Sequence, residues 1–180
     1  MKNQNTKKLA YAALFLALCL VLPMLTGQIP QIGSMLLPMH IPVLLCGLVC
    51  GWQYGAAVGF VAPLLRSVLF GMPPMYPVAI AMAFELLTYG LVIGLVYRRM
   101  AQKGAAGVYA ALLTAMAAGR FVWGVAEVVL LGLGGKAFTA QAFLAGALLN
   151  AVPGIIVQLV LIPAVMAALQ KAGAVKEYAE

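Results

Sequence analysis

Four charged side chains stand inside long apolar runs: Arg66, Glu85, Arg120 and Glu127. Their formal charges cancel, and an ionised group deep in a bilayer costs several kcal/mol unless it faces protein or water. Such residues either lock helices together as internal salt bridges or line a polar site. The planar guanidinium fork of arginine matches a carboxylate or a phosphate, so Arg66 and Arg120 are the candidates for holding an acidic or polar ligand. Arg120 and Glu127 are seven residues apart, on one helix face but beyond the usual i,i+4 contact, so each is expected to meet a partner on another helix. Asn150 and Gln158 add amide donors and acceptors within the last apolar run, Asn150 being the better placed for a pocket; either can also bond helix to helix. His40, in LPMHIPV, is read as a cap or loop anchor at the outer start of its helix, or as a ligand contact. Trp123 lies between Arg120 and Glu127, as a pocket wall or as part of an aromatic belt.

Enzymatic chemistry has little to work with. Ser34 and Ser67 are the only serines, His40 is the only histidine and there is no aspartate, so neither a Ser-His-Asp triad nor an aspartyl dyad can be built. A histidine metal site is excluded for the same reason. Cys19, Cys46 and Cys50 all fall in apolar stretches and read as small buried hydrophobes.

These residues need elements to position them, and the composition says which. The chain has 180 residues, 65% hydrophobic and 8% charged, with a mean hydropathy of +1.06. A soluble domain carries roughly 25% charged residues because its surface faces water. Here the 57 residues from Leu9 to Leu65 contain no Lys, Arg, Asp or Glu. The reading is an all-α membrane protein formed by residues 1–180 as a single domain, because lipid forces backbone groups to pair internally and the runs do not alternate as barrel strands do. The net charge of +7 does not form a basic face for nucleic acid, since the cations concentrate in tails and one connection. The basic start and apolar stretch of the first 26 residues resemble a signal peptide, yet no A-x-A site follows Thr26, and the segment is read as a retained span.

Six segments approach the roughly 20 residues needed to cross about 30 Å of hydrocarbon: about 8–26, a short one at 39–51, 55–70, 76–97, 108–131 and 139–169. Trp52, Gln53 and Tyr54 are expected as a corner, and Pro153 and Pro163 should kink or extend the last helix. Six spans put both tails and the connection near 98–107 on one side with eight of the eleven cations. The positive-inside rule then makes both termini cytoplasmic. Measured from the outer ends by helical rise, Arg66, Glu85, Glu127 and Arg120 lie roughly 8, 14, 6 and 16 Å deep. Charges at those depths, below outer connections that hold only Lys136, describe a pocket open to the outside.

Small residues recur at four-residue spacing in Ala13/Ala17, Gly47/Gly51, Gly55/Gly59 and Gly90/Gly94, which lets helices approach closely. Ala10, Ala13 and Ala17 form a stripe near the cytoplasmic end of the first segment, a docking surface if it faces outward. Together with the six spans, this AxxxA stripe and the segment LPMHIPVLLCGLVCGWQYGAAVGFVAPLLRSVLFGMPP, residues 37–74, resemble the substrate-binding S component of an energy-coupling factor (ECF) transporter over nearly the whole chain. The resemblance implies a subunit without enzymatic activity or cofactor in the cell membrane. It would bind a vitamin or related micronutrient near the outer surface under the first, third and fifth loops and against helices four to six. Ala13 and Ala17 would contact the transmembrane coupling subunit, which works with two ATPases. Pantothenate, a small carboxylate with amide and hydroxyl groups, suits Arg66 or Arg120 on its carboxylate and Asn150 on its amide. The competing reading is a stand-alone secondary transporter or channel that uses Arg66, Glu85, Arg120 and Glu127 as a proton relay.

Overall fold

The computed structural model describes residues 2–25, 36–135, 139, 141 and 151–173, and among them there is no strand. Among the described residues six α-helices follow in order: α1 (Lys2–Leu25), α2 (His40–Cys50), α3 (Trp52–Phe70), α4 (Ile80–Met100), α5 (Ala105–Leu133) and α6 (Val152–Lys171). Among the described residues five helical segments are long and apolar enough to cross a membrane, the third of them being α4 counted with its lead-in turn from Met75. The exception is α2, whose 11 residues rise only ~16 Å.

Several ends differ from the sequence expectation for local reasons. Helix α1 begins at Lys2, because hydropathy marks only the part of a helix suited to lipid while the backbone ladder continues into polar sequence. Trp52, Gln53 and Tyr54 are the first turn of α3 and not a corner. Gly51 turns the chain alone, at φ 96°, a conformation open to glycine at no steric cost. Pro153 sits in the first turn of α6, where the missing N–H has no helical acceptor to lose.

Helix α4 is central, packed against α3, α5 and α2; α1 lies on α2 and α3, and α6 on α5 and α2. The α3–α4 contact is backbone to backbone. A Cβ on Gly90 would lie 2.2 Å from the Gly55 carbonyl, one on Gly59 2.2 Å from the Leu86 carbonyl, and one on Gly94 2.5 Å from the Trp52 nitrogen. The pairing of 55 with 90, 59 with 86 and 52 with 94 makes the two helices antiparallel in one continuous register. Gly47 of α2 joins the same seam, its Cβ position falling 2.5 Å from Ile93 and 2.8 Å from the Gly90 carbonyl. Helix α5 also runs antiparallel to α4, with Gly107 against Met100, Gly119 against Tyr89 and, beyond the N-terminal end of α4, the Tyr76 hydroxyl donating to the Leu130 carbonyl.

The surface is inverted relative to a protein in water. Leu25 is 78% exposed, Leu133 79% and Phe121 69%, whereas His40, Glu85 and Gln158 are each 1% exposed. Apolar side chains outside and polar ones inside reverse the usual partition in water and match a bundle whose solvent is hydrocarbon.

Candidate functional site

The polar centre is built on α4. Glu85 lies on the buried face of α4, and Tyr89, one turn further, follows it into the core. Gly119 of α5 makes room for the Tyr89 ring, whose Cε1 is only 2.1 Å from where a Cβ would stand. The next residue on α5 is Arg120, and its NH1 reaches Glu85 Oε1 at 3.0 Å. His40 completes the group, with Nε2 3.5 Å from the same oxygen and its ring edge-on to Tyr89 at 5.2 Å between centroids.

His40 arrives at that depth through a tight entry to α2. Leu37 adopts φ 51°, a left-handed conformation uncommon outside glycine, and the His40 N–H donates to the Leu37 carbonyl at 3.0 Å. The Cys19 thiol donates to the adjacent Met39 carbonyl at 3.6 Å, which fastens this turn to α1. Helix α2 therefore starts level with Glu85, and His40 belongs to the charged centre rather than to an outer cap.

The centre has more donors than acceptors. Arg120 Nε and NH2 and both ring nitrogens of His40 are buried without a hydrogen-bond partner among the described residues. Glu85 Oε1 is the near neighbour of both the guanidinium and the imidazole, yet it too lacks an aligned hydrogen bond. Buried polar groups are nearly always satisfied in folded proteins, by protein or by something bound. One carboxylate facing an arginine and an imidazole, with guanidinium edges left over, can accept a small molecule that supplies oxygen acceptors.

The remaining candidates are placed as follows. Arg66 is buried on α3 but faces α1, where NH1 donates to the Leu20 carbonyl and the guanidinium lies over the Phe70 ring at 5.3 Å. Leu20 lies within the turn that precedes Pro23 of α1. Arg66 is thus held by helix packing, apart from the contacts that join His40, Glu85 and Arg120. Glu127 is buried on α5 within electrostatic reach of Glu85, and among the described residues no ion pair to it is formed. Trp123 is half-buried on α5. Asn150 lies outside the described residues. Ala13 and Ala17 are exposed on the outer side of α1, while Ala12, Phe15 and Cys19 face the bundle. Tyr89 was not signalled by sequence; an aromatic one turn after a buried acid is the only hint of it.

A family model for the substrate-specific component of ECF transporters matches residues 7–167. The chain belongs to that family. It is accordingly a multi-pass membrane protein that serves as the substrate-binding subunit of an importer, not an enzyme. ECF S components of this kind imply a small-molecule substrate and an energising module of coupling and ATPase subunits. No curated protein and no solved structure matches the chain.

Proposed function

We propose that this S component captures a vitamin or related micronutrient, with pantothenate the first candidate, from the outer side of the cell membrane. It then delivers the ligand together with a transmembrane coupling subunit and two ATPases. Residues 1–180 act as one domain with six membrane-inserted helices and both termini in the cytoplasm, an orientation supported by the cations at Lys7, Lys8, Arg98, Arg99, Lys103 and Lys171. The observation that carries the reading is the donor-rich centre of His40, Glu85 and Arg120 inside an otherwise apolar bundle. Glu127 and Trp123 lie further out on α5, along the side from which a ligand would enter, and Asn150 is assigned to the same pocket. In this arrangement Arg120, rather than Arg66, takes the pantothenate carboxylate, since Arg66 is engaged by α1.

Calorimetry on the purified protein in lipid nanodiscs tests the assignment. Pantothenate is expected to bind, and Arg120→Lys, which keeps the charge beside Glu85 but loses the planar fork, is expected to weaken it more than tenfold, about 1.4 kcal/mol or more. Absence of pantothenate binding by the unaltered protein would remove that substrate. Accumulation of a micronutrient by the isolated chain in liposomes, without ATPases, would replace the S-component reading with a stand-alone carrier.

The exposed Ala13/Ala17 stripe supplies a second prediction. Helices associate in membranes through small residues that permit close approach, so Ala17→Trp should block docking of the coupling subunit. Uptake by the assembled transporter is expected to fall more than tenfold while ligand affinity of the isolated subunit stays within about twofold, since the stripe faces away from the charged centre. Unchanged uptake would move the docking surface elsewhere.

A further inference from the structure

Gln158 is 1% exposed on α6, and its Nε2 has no hydrogen-bond partner among the described residues. Its depth follows from the other end of the helix. The Gln170 side-chain amide donates to the Tyr97 hydroxyl at 3.3 Å, which sets α6 level with α4 near their C-terminal ends. Gln158 precedes Gln170 by twelve residues and Glu85 precedes Tyr97 by twelve, so both lie ~18 Å back along their helices. Gln158 is therefore level with Glu85, on a helix packed against α2 and α5, which carry His40 and Arg120.

Three helices thus bring N–H groups without partners to one depth: Arg120 from α5, His40 from α2 and Gln158 from α6. The acceptor on α4 at that depth is the Glu85 carboxylate, already shared between Arg120 and His40. An amide NH2 and a guanidinium edge are donors only at those nitrogens. The missing complement is a group rich in oxygen acceptors. Seven residues further along α5, ~10 Å by helical rise, Glu127 offers the opposite chemistry: a buried acceptor in an apolar wall.

We propose that Gln158 is a ligand-binding residue at the floor of the site. Together with Arg120 and His40 it receives the carboxylate or carbonyl end of the micronutrient, while the donor-bearing end points outward to Glu127. The inference rests on the S-component reading and adds to it a residue, a ligand orientation and a class of ligand, one with acceptors at one end and a donor at the other.

The test uses the full chain in nanodiscs with pantothenate, riboflavin, thiamin, biotin, folate and pyridoxine as separate probes. Gln158→Met keeps the shape and removes the donor, and Gln158→Glu turns the donor into an acceptor. Both are expected to weaken every probe that the unaltered protein binds by at least fivefold, with the ligand-free melting temperature of Gln158→Met unchanged or raised. Because Gln158 and Arg120 would grip one group, the loss caused by Gln158→Met should shrink when measured in Arg120→Lys, a non-additivity that a purely structural role does not produce. Loss below fivefold in the variant that folds, or losses that simply multiply, overturns the inference and leaves the S-component reading standing. Binding of none of the six probes by the unaltered protein overturns both.

Discussion

Replacing Glu85 by leucine is expected to destabilise the bundle by about 3–5 kcal/mol, because it leaves the Arg120 guanidinium buried with no opposing charge. Glu85 Oε1 is the shared neighbour of Arg120 NH1 at 3.0 Å and of His40 Nε2 at 3.5 Å, so one substitution removes the counter-charge of Arg120 and the acidic neighbour of His40. The informative companion is Glu85→Leu/Arg120→Met. Removing both members of a buried pair is often neutral or stabilising, and this double variant should regain the stability of the unaltered protein while losing ligand binding. Reversible unfolding in mixed detergent micelles reads the first quantity and calorimetry the second. A single variant as stable as the parent would mean that the guanidinium finds another partner or reaches water, and Glu85 would then not be the counter-charge on which the buried Arg120 depends.

Gly90→Val should be at least as damaging, by a different cause. A Cβ at position 90 would lie 2.2 Å from both the carbonyl carbon and the oxygen of Gly55 and 2.7 Å from the Ala56 nitrogen. These are backbone atoms of α3, with no side chain that could rotate away. Overpacking costs typically 1–3 kcal/mol where the core can adjust; with a valine wedged between two backbones, about 3 kcal/mol or more is expected, seen as a collapsed yield of monodisperse protein and a lower melting temperature. Gly132→Ala is the control. A Cβ there meets nothing within 4 Å, so that variant should melt at or slightly above the parent temperature, in line with the helix preference for alanine.

The sequence made the charged centre conspicuous because charge contradicts an apolar run, and Glu85 and Arg120 came out at nearly equal depth from helical rise alone. The glycine seam was legible too, since residues four apart share a helix face. What composition could not reveal was path. The depth of His40 depends on where the chain turns into α2, and that turn hangs on Leu37 in a left-handed conformation, which no local preference announces. The partner of Arg66 is the backbone carbonyl of Leu20, and carbonyls carry no signature in a sequence. Position along the last apolar run favours Asn150 over Gln158 as a pocket residue; the Gln170–Tyr97 contact, which no sequence pattern announces, brings Gln158 level with Glu85.

The backbone contact of α3 with α4, joined by Gly47 of α2, has a consequence for motion. Side-chain interfaces can slide by exchanging rotamers, but helices that touch through carbonyls and α-carbons have no such slack. These three helices form an inflexible keel, so a tilt detected between it and the bilayer normal during a transport cycle reports their reorientation as one piece, and internal rearrangement is left to α1, α5 and α6 around it.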